Sequence, residues 1–502
     1  MGRSKTPSFT VDIPLIVDSR AEAELLSRSQ AGRQLYNACL SEAMVRMRLV
    51  RNSDAYQLAR AMPKGKARTE AFSEARKAYR YSEYDLHSFA KLTADRSGWI
   101  AQKLGANTQQ TIATRAFKAS ERVMFGKAKQ VRYKVPTRFR SMEGKTNKQG
   151  IRWVKDSLVW GKLTVPGRID LQNEVVMHGL SSPIKYVRLL WRELNGVRRW
   201  TAQLICEGLP YAKPKNYVTT GVVGLDLNVS NVAFVADSYA GLLPFAEGVP
   251  TYEKEIKALQ RQMERSKRAN NPDNFEPDFT AKRGRKTVKK KGKSKKGRRR
   301  WNNSNRYRVL SRKKRELEQR KVAYAKSKNR ELVNDILRHG NQIRTERVSV
   351  KGWQKRYGKA IAAKSPGYFQ SELVRKAVNA GGTVLKFRVQ TTALSQTHLN
   401  GERAKKSLSE RIHYDQTGIV MHRDLFSAYL ARYVDGDKLS LQDAQLEYLG
   451  MESALLGAWE RYKQSANRVG VAESRKTCPP SEQIPSNSEK ANQISQFGLK
   501  VC

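Results

Sequence analysis

Residues 221–237 read GVVGLDLNVSNVAFVAD, and this stretch decides how the fold is interpreted. Its first part is almost continuously apolar, which is typical of a strand that is buried on both faces. A second apolar run, VAFVAD, follows closely and LLPFAEG comes next, so the sequence predicts a three-stranded meander. Asp226 lies inside the first strand. An ionised carboxylate there needs a cation or hydrogen-bond donors around it, because burying an unpaired charge is costly.

Two further carboxylates belong to later elements of the same region. Glu346 ends a short strand in NQIRTERVSV, and Asp424 lies in the first turn of a helix, where the helix dipole favours an anion. Each acid also has an ordinary alternative role. Asp226 could cap the turn after its strand, Glu346 could pair with neighbouring arginines, and aspartates at helix starts are common. The evidence from any one of these residues is therefore weak.

The order of the elements favours one shared site for the three acids. Three strands are followed by basic helices, a strand, a helix that Ser365 caps with Pro366 in its first turn, a strand in VLKFRV, and the helix of Asp424. This series describes a mixed sheet like that of ribonuclease H, with carboxylates that could converge at one edge. Mg²⁺ prefers oxygen ligands, and two such ions can promote phosphodiester hydrolysis. A two-Mg²⁺ site is the resulting hypothesis.

Three segments also resemble a known family. GVVGLDLNVSNVAFVADSYAG, RTERVSVKGW and MHRDLFSAYLARYV are similar to the three split motifs of the RuvC nuclease domain in transposon-encoded TnpB proteins and compact type V CRISPR effectors. The resemblance covers about residues 221–434. It implies an RNA-guided, Mg²⁺-dependent DNA endonuclease whose single site cuts both strands next to a short motif read by the protein. It also implies that Asp226, Glu346 and Asp424 bind the metal and that Arg411 steadies the scissile phosphate, although a solvated arginine is an equal alternative.

The sequence departs from this family between SQT and HRDL. Family members usually carry two cysteine pairs of a zinc ribbon there, whereas residues 398–418 contain no cysteine. His398, His413 and Asp415 could ligate a metal, but they lack paired spacing and structural zinc sites without thiolates are uncommon, so zinc is not expected. The missing cysteines put efficient cutting in doubt. One alternative is therefore an RNA-guided DNA binder with weak or no cleavage, and another is a guide-independent RuvC-like nuclease or transposase.

The length of 502 residues suggests about three domains. We predict an α+β multidomain fold in which a wedge-like N-terminal β-barrel is interrupted by a helical recognition lobe and followed by a RuvC-like nuclease domain. The reader of the flanking motif is expected in the N-terminal half. The predicted boundaries are 1–20 and 128–215 for the barrel, 21–127 for the helical lobe, 221–391 and 420–465 for the nuclease, 392–419 for a target-loading insertion, and 466–502 for a disordered tail.

The charge predicts a nucleic-acid partner. Lysine and arginine total 96 against 46 aspartates and glutamates, and a formal net charge of +50 repels itself unless anions are bound. The densest basic block, residues 281–300, is predicted to be a disordered loop that folds onto phosphates. Its candidate nucleic-acid contacts are Lys282, Arg283, Arg285, Lys289, Lys290, Lys291, Arg298, Arg299 and Arg300. The expected partners are a guide RNA and double-stranded target DNA, joined as an RNA–DNA heteroduplex, and a monomer is favoured.

Other features concern the cellular compartment. No uncharged apolar run approaches the roughly 20 residues that a bilayer span needs, and the N-terminal MGRSKTPSFTVDI has no apolar signal core. The four cysteines form no CxxC pair, which argues against a disulfide framework. We therefore expect a cytoplasmic protein that is not associated with a membrane, and the resemblance implies a bacterial protein that is associated with the nucleoid when it targets DNA.

Overall fold

The protein is described by a computed structural model that covers residues 6–194, 196–213, 218, 220–284, 286–297, 299–407 and 410–474. It is a mixed α+β protein and is roughly half helical. The chain forms two compact units, one of Met1–Tyr217 with Gly248–Ala325 and one of Val218–Glu247 with Lys326–Cys502. No helix in the described part is long and apolar enough to cross a membrane.

The helices and strands are numbered in chain order. The first group is β1 (Ser8–Pro14), α1 (Ser19–Asn52), α2 (Asp54–Ala61), α3 (Lys66–Ala78), α4 (Glu83–Ser97), α5 (Trp99–Lys103), α6 (Ala106–Met124), β2 (Ser141–Glu143), β3 (Ile151–Val154), β4 (Ser157–Trp160), β5 (Leu163–Pro166), α7 (Glu174–Ser181), β6 (Ile184–Leu194) and β7 (Val197–Glu207). The second group is β8 (Val222–Leu227), β9 (Asn231–Val235), β10 (Ala240–Pro244), α8 (Glu253–Ala269), β11 (Phe279–Arg283), β12 (Lys286–Lys290) and α9 (Asn305–Leu337). The third group is β13 (Gln342–Glu346), α10 (Val350–Lys364), α11 (Pro366–Asn379), β14 (Thr383–Phe387), α12 (Val389–Thr392), β15 (Ile412–Tyr414), β16 (Val420–His422), α13 (Arg423–Ala431), β17 (Val434–Asp435), β18 (Lys438–Leu439) and α14 (Leu441–Ser474).

The first unit contains the helical insertion that the sequence predicts, because α1–α6 follow β1 directly. Its strands form a four-stranded antiparallel sheet in the order β1-β7-β6-β2 and a three-stranded sheet in the order β3-β4-β5. β1 pairs along its length with β7, and the short β2 pairs only with β6. These two strands are the sheet's open edges, so the described residues contain no closed barrel of the kind we predicted.

The basic block differs from its sequence interpretation as a disordered loop. β11 and β12 pair in an antiparallel hairpin that runs from Phe279 opposite Lys290 to Arg283 opposite Lys286. Apolar residues alternate with basic ones in this hairpin, and Ala281 lies opposite Val288 on the partner strand. Such alternation is typical of strands, but the many lysines obscure it in the sequence.

Three other local predictions can be compared with the structure. Ser365 does not cap α11 with its side chain but ends α10 in a left-handed backbone conformation with φ 53°. The last helix continues through Ser474, beyond the predicted boundary at 466, and residues 475–502 lie outside the described residues. The Asn195-Gly196 sequence between β6 and β7 predicts a type I′ turn. Of these two residues only Gly196 is described, and its φ of +77° is left-handed.

The second unit is built on a five-stranded mixed sheet in the order β10-β9-β8-β13-β14. β8, β9 and β10 form the predicted antiparallel meander, and β13 runs parallel to both β8 and β14. One face of the sheet packs against α13 and α14, and the other packs against α11 and the end of α9. Phe369, Leu373 and Ala377 recur every four residues in α11, a spacing that predicts one buried helical face, and all three are buried.

The closest contact between the sheet and α13 is made at Gly224 in the middle of β8. A Cβ atom at this position would lie 2.1 Å from the carbonyl oxygen of Ala428 and 2.7 Å from the backbone nitrogen of Arg432. Both atoms belong to rigid backbone, so no side-chain rotation relieves the contact. Glycine is therefore required here for α13 to lie against β8.

We expect Gly224→Ala to lower the free energy of unfolding by about 1–3 kcal/mol, because the added methyl group forces α13 away from the sheet. Gly450→Ala is the matched control, since a methyl group added to Gly450 in α14 would have no heavy atom within 4 Å. Alanine favours a helix interior over glycine, so the control should be neutral or slightly stabilising. Thermal unfolding of both full-length variants measures the difference, and equal melting temperatures would contradict the packing argument.

Candidate metal centre and adjoining cleft

The register of two parallel strands brings Asp226 and Glu346 side by side. Leu225 of β8 pairs with Thr345 of β13, and each acid is the next residue along its strand. Because side chains alternate between the faces of a sheet, Asp226 shares the face of Gly224, which is the face covered by α13. Glu346 lies at the matching position of the neighbouring strand, so both acids lie on the side of the sheet that α13 covers.

Asp424 completes the group from the first turn of α13. His422 caps this helix, and its Nδ1 atom accepts a hydrogen bond from the backbone nitrogen of Asp424 at 3.3 Å. The Asp424 side chain is only 1% exposed, and its Oδ2 atom is buried without a hydrogen-bond partner among the described residues. Arg423 and Arg411 form ion pairs with it at 3.6 Å and 3.9 Å.

The three acids form a concentration of negative charge that the protein itself does not neutralise. Burial, followed by the charges of Asp424 and Glu346, raises the pKa of Asp226 well above its ordinary value, and the opposing effects of Arg423 and Asn228 do not offset this. Burial also raises the pKa of Glu346 to about 7. The hypothesis that these residues share one site is therefore consistent with their electrostatic interaction.

The residues present fit a hard divalent cation. Carboxylate oxygens are the ligands that Mg²⁺ prefers. A cation would bind the Oδ2 atom of Asp424, which has no hydrogen-bond partner, and would offset the burial and the neighbouring charges that raise the pKa of Asp226. The carboxylate oxygens do not all lie within 4.8 Å of one another. Such spacing suits ions that also bind water and substrate phosphate, since Mg²⁺ usually keeps several such ligands.

A cleft of about 1330 Å³ opens beside Asp424. Arg411, predicted as a phosphate contact, lines this cleft, and its side chain is 58% exposed. Glu346 instead lines a separate cavity of about 50 Å³. The aromatic and basic side chains of the cleft wall are Trp353, Lys355, Arg356, Tyr357, Trp459, Tyr462 and Lys463. Sequence reasoning did not single out these residues. The available signal was the interleaving of aromatic and basic residues in KGWQKRY and AWERYK.

The structure also brings together His398, His413 and Asp415, whose candidate ligand atoms lie within 4.8 Å of one another. All three are buried. The Asp415 carboxylate accepts hydrogen bonds from His413 Nε2 at 2.8 Å, from the backbone of Leu399 at 2.9 Å, and from both the backbone and the hydroxyl of Thr417 at 3.0 and 2.8 Å. Protein donors therefore already surround this carboxylate.

The electrostatics of this cluster differ from those of the acidic site. Burial opposes the ionisation of Asp415, but hydrogen bonds from His413, Thr417 and Leu399 outweigh it and hold the pKa at about 2. Burial lowers the pKa of His413, which keeps its imidazole neutral. Nδ1 of His398 accepts a hydrogen bond from the backbone of Gln416 at 3.2 Å. The expectation that this region binds no zinc stays a prediction, now supported by an internally satisfied network.

The predicted nucleic-acid contacts of the basic block lie in the first unit. The side chains of Lys282, Lys289, Lys290, Lys291 and Arg300 are exposed, whereas that of Arg299 is half-buried and donates to the backbone of Lys295. Arg285 and Arg298 lie outside the described residues, as does the side chain of Arg283. Binding of nucleic acid by this block stays a prediction.

Comparisons with known proteins show likeness at the level of structure. No family model and no curated protein matches the sequence. The chain is similar to the cryo-EM structure of a Cas12f1–sgRNA–target DNA complex, with a TM-score of 0.41 and 9% identity over 84% of this chain and 98% of that chain. It is also similar to a CRISPR–Cas12f ternary complex, with a TM-score of 0.30 and 10% identity over 84% of this chain and 83% of that chain.

The raised pKa of Glu346 predicts a pH-dependent stability of the metal-free protein. The folded state binds the proton of the Glu346 carboxyl group more tightly than the unfolded state does. Proton binding therefore stabilises the folded state fully below about pH 4.5, and this stabilisation is lost as the pH rises towards 7. The loss is on the order of 3 kcal/mol in the unfolding free energy. Glu346→Gln should flatten the melting temperature between these pH values when measured in chelator, and Mg²⁺ should restore stability to the unaltered protein at neutral pH.

The exposed Glu402 offers the matched control for this measurement. Glu402→Gln should retain the pH dependence of the unaltered protein. Parallel pH profiles for the unaltered protein and Glu346→Gln would show that this carboxyl group is not destabilised by its surroundings.

The hydrogen bonds that surround Asp415 predict that its charge stabilises the fold directly and that no metal is bound there. Removing the charge should therefore destabilise the protein but release no metal. Asp415→Asn should cost about 1–3 kcal/mol at neutral pH, because an amide cannot accept all the hydrogen bonds that the carboxylate accepts. Asp435→Asn changes an exposed aspartate and should be neutral. Elemental analysis of purified protein should find no stoichiometric zinc, and one tightly held zinc per chain, lost in Asp415→Asn, would overturn this interpretation.

Proposed function

We propose that this protein is an RNA-guided, Mg²⁺-dependent DNA endonuclease with a single RuvC-like site. The observation that carries the nuclease activity is the convergence of Asp226, Glu346 and Asp424 from two adjacent parallel strands and a helix start. A buried, unpartnered carboxylate oxygen at Asp424 and the raised pKa of Asp226 both favour binding of a cation. The ligands of Mg²⁺ in this proposal are the three carboxylates.

The residues around the acids have distinct roles in the proposed hydrolysis. Bound Mg²⁺ would supply charge neutralisation for the phosphodiester and an activated water. Asp424 is held in place by the hydrogen bond to His422, and its Oδ2 atom has no hydrogen-bond partner among the described residues, with Arg411 at the longer distance of 3.9 Å. Arg411 lies in the cleft, where its exposed guanidinium can donate two hydrogen bonds to a phosphate. Arg423 is buried and offsets part of the negative charge when no substrate is bound.

The guided part of the proposal rests on charge and sequence resemblance. A net charge of +50 suits a protein that encloses a long polyanion, and the three split motifs resemble those of RNA-guided nucleases. The proposed partners are a guide RNA and double-stranded target DNA, and the Cas12f1 complex contains an sgRNA and a target DNA. Pairing with the guide would read the target, and the basic block 281–300 would contact phosphates.

The first experiment is to purify the full chain with its co-purifying RNA and to sequence that RNA. One abundant species with a constant scaffold and a variable end supports the guided function. The complex is then incubated with matched and mismatched duplex DNA, with Mg²⁺ or chelator, and with the RNA retained or removed by nuclease. Cleavage without RNA would favour the guide-independent alternative, and target binding without cleavage would favour the binder.

We expect Asp226→Asn to reduce cleavage of matched duplex by on the order of 10³-fold or more, because a metal ligand is replaced by a neutral amide. Binding of RNA and target should remain within about twofold of the unaltered protein, since the amide preserves shape and removes repulsion. Asp435→Asn, the exposed control, should cleave normally. Equal losses of binding and cleavage in Asp226→Asn would mean that this residue has a structural role.

A further inference from the structure

Helix α14 carries two apolar faces. The buried face packs on the core of the second unit, and its residues recur every three or four positions: Ala444, Tyr448, Met451, Leu455 and Ala458. A second series with the same spacing lies near the opposite side of the helix and consists of Leu446, Leu449, Ser453 and Leu456. Its leucines are 76%, 83% and 42% exposed, and Leu449 is the most exposed large apolar side chain among the described residues. Single exposed leucines are ordinary, but three leucines aligned on one helix face indicate an interaction surface.

The surroundings of this second face are acidic, in contrast to the chain as a whole. Residues 439–460 contain four acids and no lysine or arginine, whereas the net charge of the protein is +50. Asp443 and Glu452 flank the leucine series on either side, and each accepts a hydrogen bond from a hydroxyl group but forms no ion pair within the described residues. The other two acids each have a basic partner. The second face of α14 therefore combines apolar contact area with negative charge.

Small residues leave room beside the leucines for another helix. Gly450 and Gly457 lie next to the leucine series, and Ser453 lies within it. A Cβ atom added to Gly450 would have no heavy atom within 4 Å, so the helix surface is open at this point. When two helices pack together, the side chains of one enter the spaces between the side chains of the other. Leucines at three- and four-residue spacing with small residues beside them provide such spaces.

We infer that this face of α14 binds a partner protein through a basic amphipathic helix. The apolar side chains of the partner would pack on Leu446, Leu449 and Leu456, and its lysines or arginines would lie near Asp443 and Glu452. Charge selects this occupant. The carboxylates repel nucleic acid and anionic lipid, and a second copy of the chain paired through the same face would bring like charges together. The inference goes beyond the proposed nuclease function and does not depend on it.

A synthetic peptide tests the surface without knowledge of the natural partner. The probe is a fluorescent peptide of leucine and lysine, about three heptads long, with its leucines at three- and four-residue spacing. Its control has the same composition in scrambled order. The full-length protein is treated with nuclease beforehand, because bound RNA would capture a cationic peptide. The net charge of the protein repels both peptides, so binding reports a local acidic and apolar surface.

We expect the patterned peptide to bind at least about tenfold more tightly than the scrambled peptide, and to protect the backbone of residues 441–460 from hydrogen exchange. Leu446→Gln with Leu449→Gln should weaken binding by about tenfold or more, because two central apolar contacts are lost. Asp443→Asn with Glu452→Gln should weaken binding and reduce its dependence on salt.

Val378→Gln with Tyr414→Gln is the matched control for the leucine variant. These side chains are 59% and 66% exposed in the same unit but lie outside α14, so the control should bind the patterned peptide like the unaltered protein. Melting temperatures establish that each variant is folded. Should the double leucine variant misfold, Leu449→Gln alone and the hydrogen-exchange pattern of the unaltered protein still decide the question.

Four results would overturn the inference. Equal affinity for the patterned and scrambled peptides means that the surface does not recognise an amphipathic helix. Unchanged affinity in the leucine variant means that the peptide binds elsewhere. Sedimentation that shows self-association of the unaltered protein, lost in the leucine variant, makes a second copy the occupant. A rise in peptide affinity when residues 475–502 are removed makes the chain's own C-terminal segment the occupant.

Discussion

The arrangement of the second unit depends on one backbone contact, the packing of α13 directly on β8 at Gly224. Only a residue without a side chain leaves room for the carbonyl of Ala428 against the strand. This contact sets the helix, and with it Asp424, close to the sheet, where burial and then the charge of Asp424 raise the pKa of Asp226. A helix held even a side chain's width further away would separate these charges. The short distance between α13 and the strand of Asp226 therefore depends on a residue without a Cβ atom at position 224.

The same packing explains the buried cations at the other end of α13. Arg432 is buried where the helix ends and pairs with Asp237 and Glu447, which are both largely exposed. Arg344 of β13 donates to the backbone carbonyl of Arg432. Positive charge at the helix's C-terminal end is favoured by the helix dipole, and negative charge at its first turn is favoured in the same way. At the C-terminal end of α13 a buried arginine is thus paired with two acids, whereas Asp424 in the first turn is paired with Arg423 at 3.6 Å and Arg411 at 3.9 Å.

The sequence alone predicts the elements that carry the acids but not the surroundings that make them a site. The apolar runs of β8–β10 and the buried face of α11 are local patterns, and the structure confirms them. The left-handed Ser365 was missed because it depends on how two helices meet, and the hairpin of the basic block was missed because the many lysines obscure its alternating pattern. The cleft was also missed, since Trp353 and Trp459 are more than 100 residues apart in the chain and meet only through tertiary packing.

Two groups of buried polar residues in the second unit show how surroundings decide the role of a carboxylate. Asp415 receives hydrogen bonds from backbone, hydroxyl and imidazole donors, and its pKa falls to about 2 although it is buried. Burial and then two acidic neighbours raise the pKa of Asp226, whose one side-chain donor among the described residues is the Asn228 amide at 3.5 Å. A carboxylate that the protein satisfies fully serves to hold segments together, as Asp415 joins Leu399 to Thr417. A buried carboxylate that the protein leaves without such donors would instead be stabilised by a cation, and this difference is the physical basis for proposing metal binding at Asp226 rather than at Asp415.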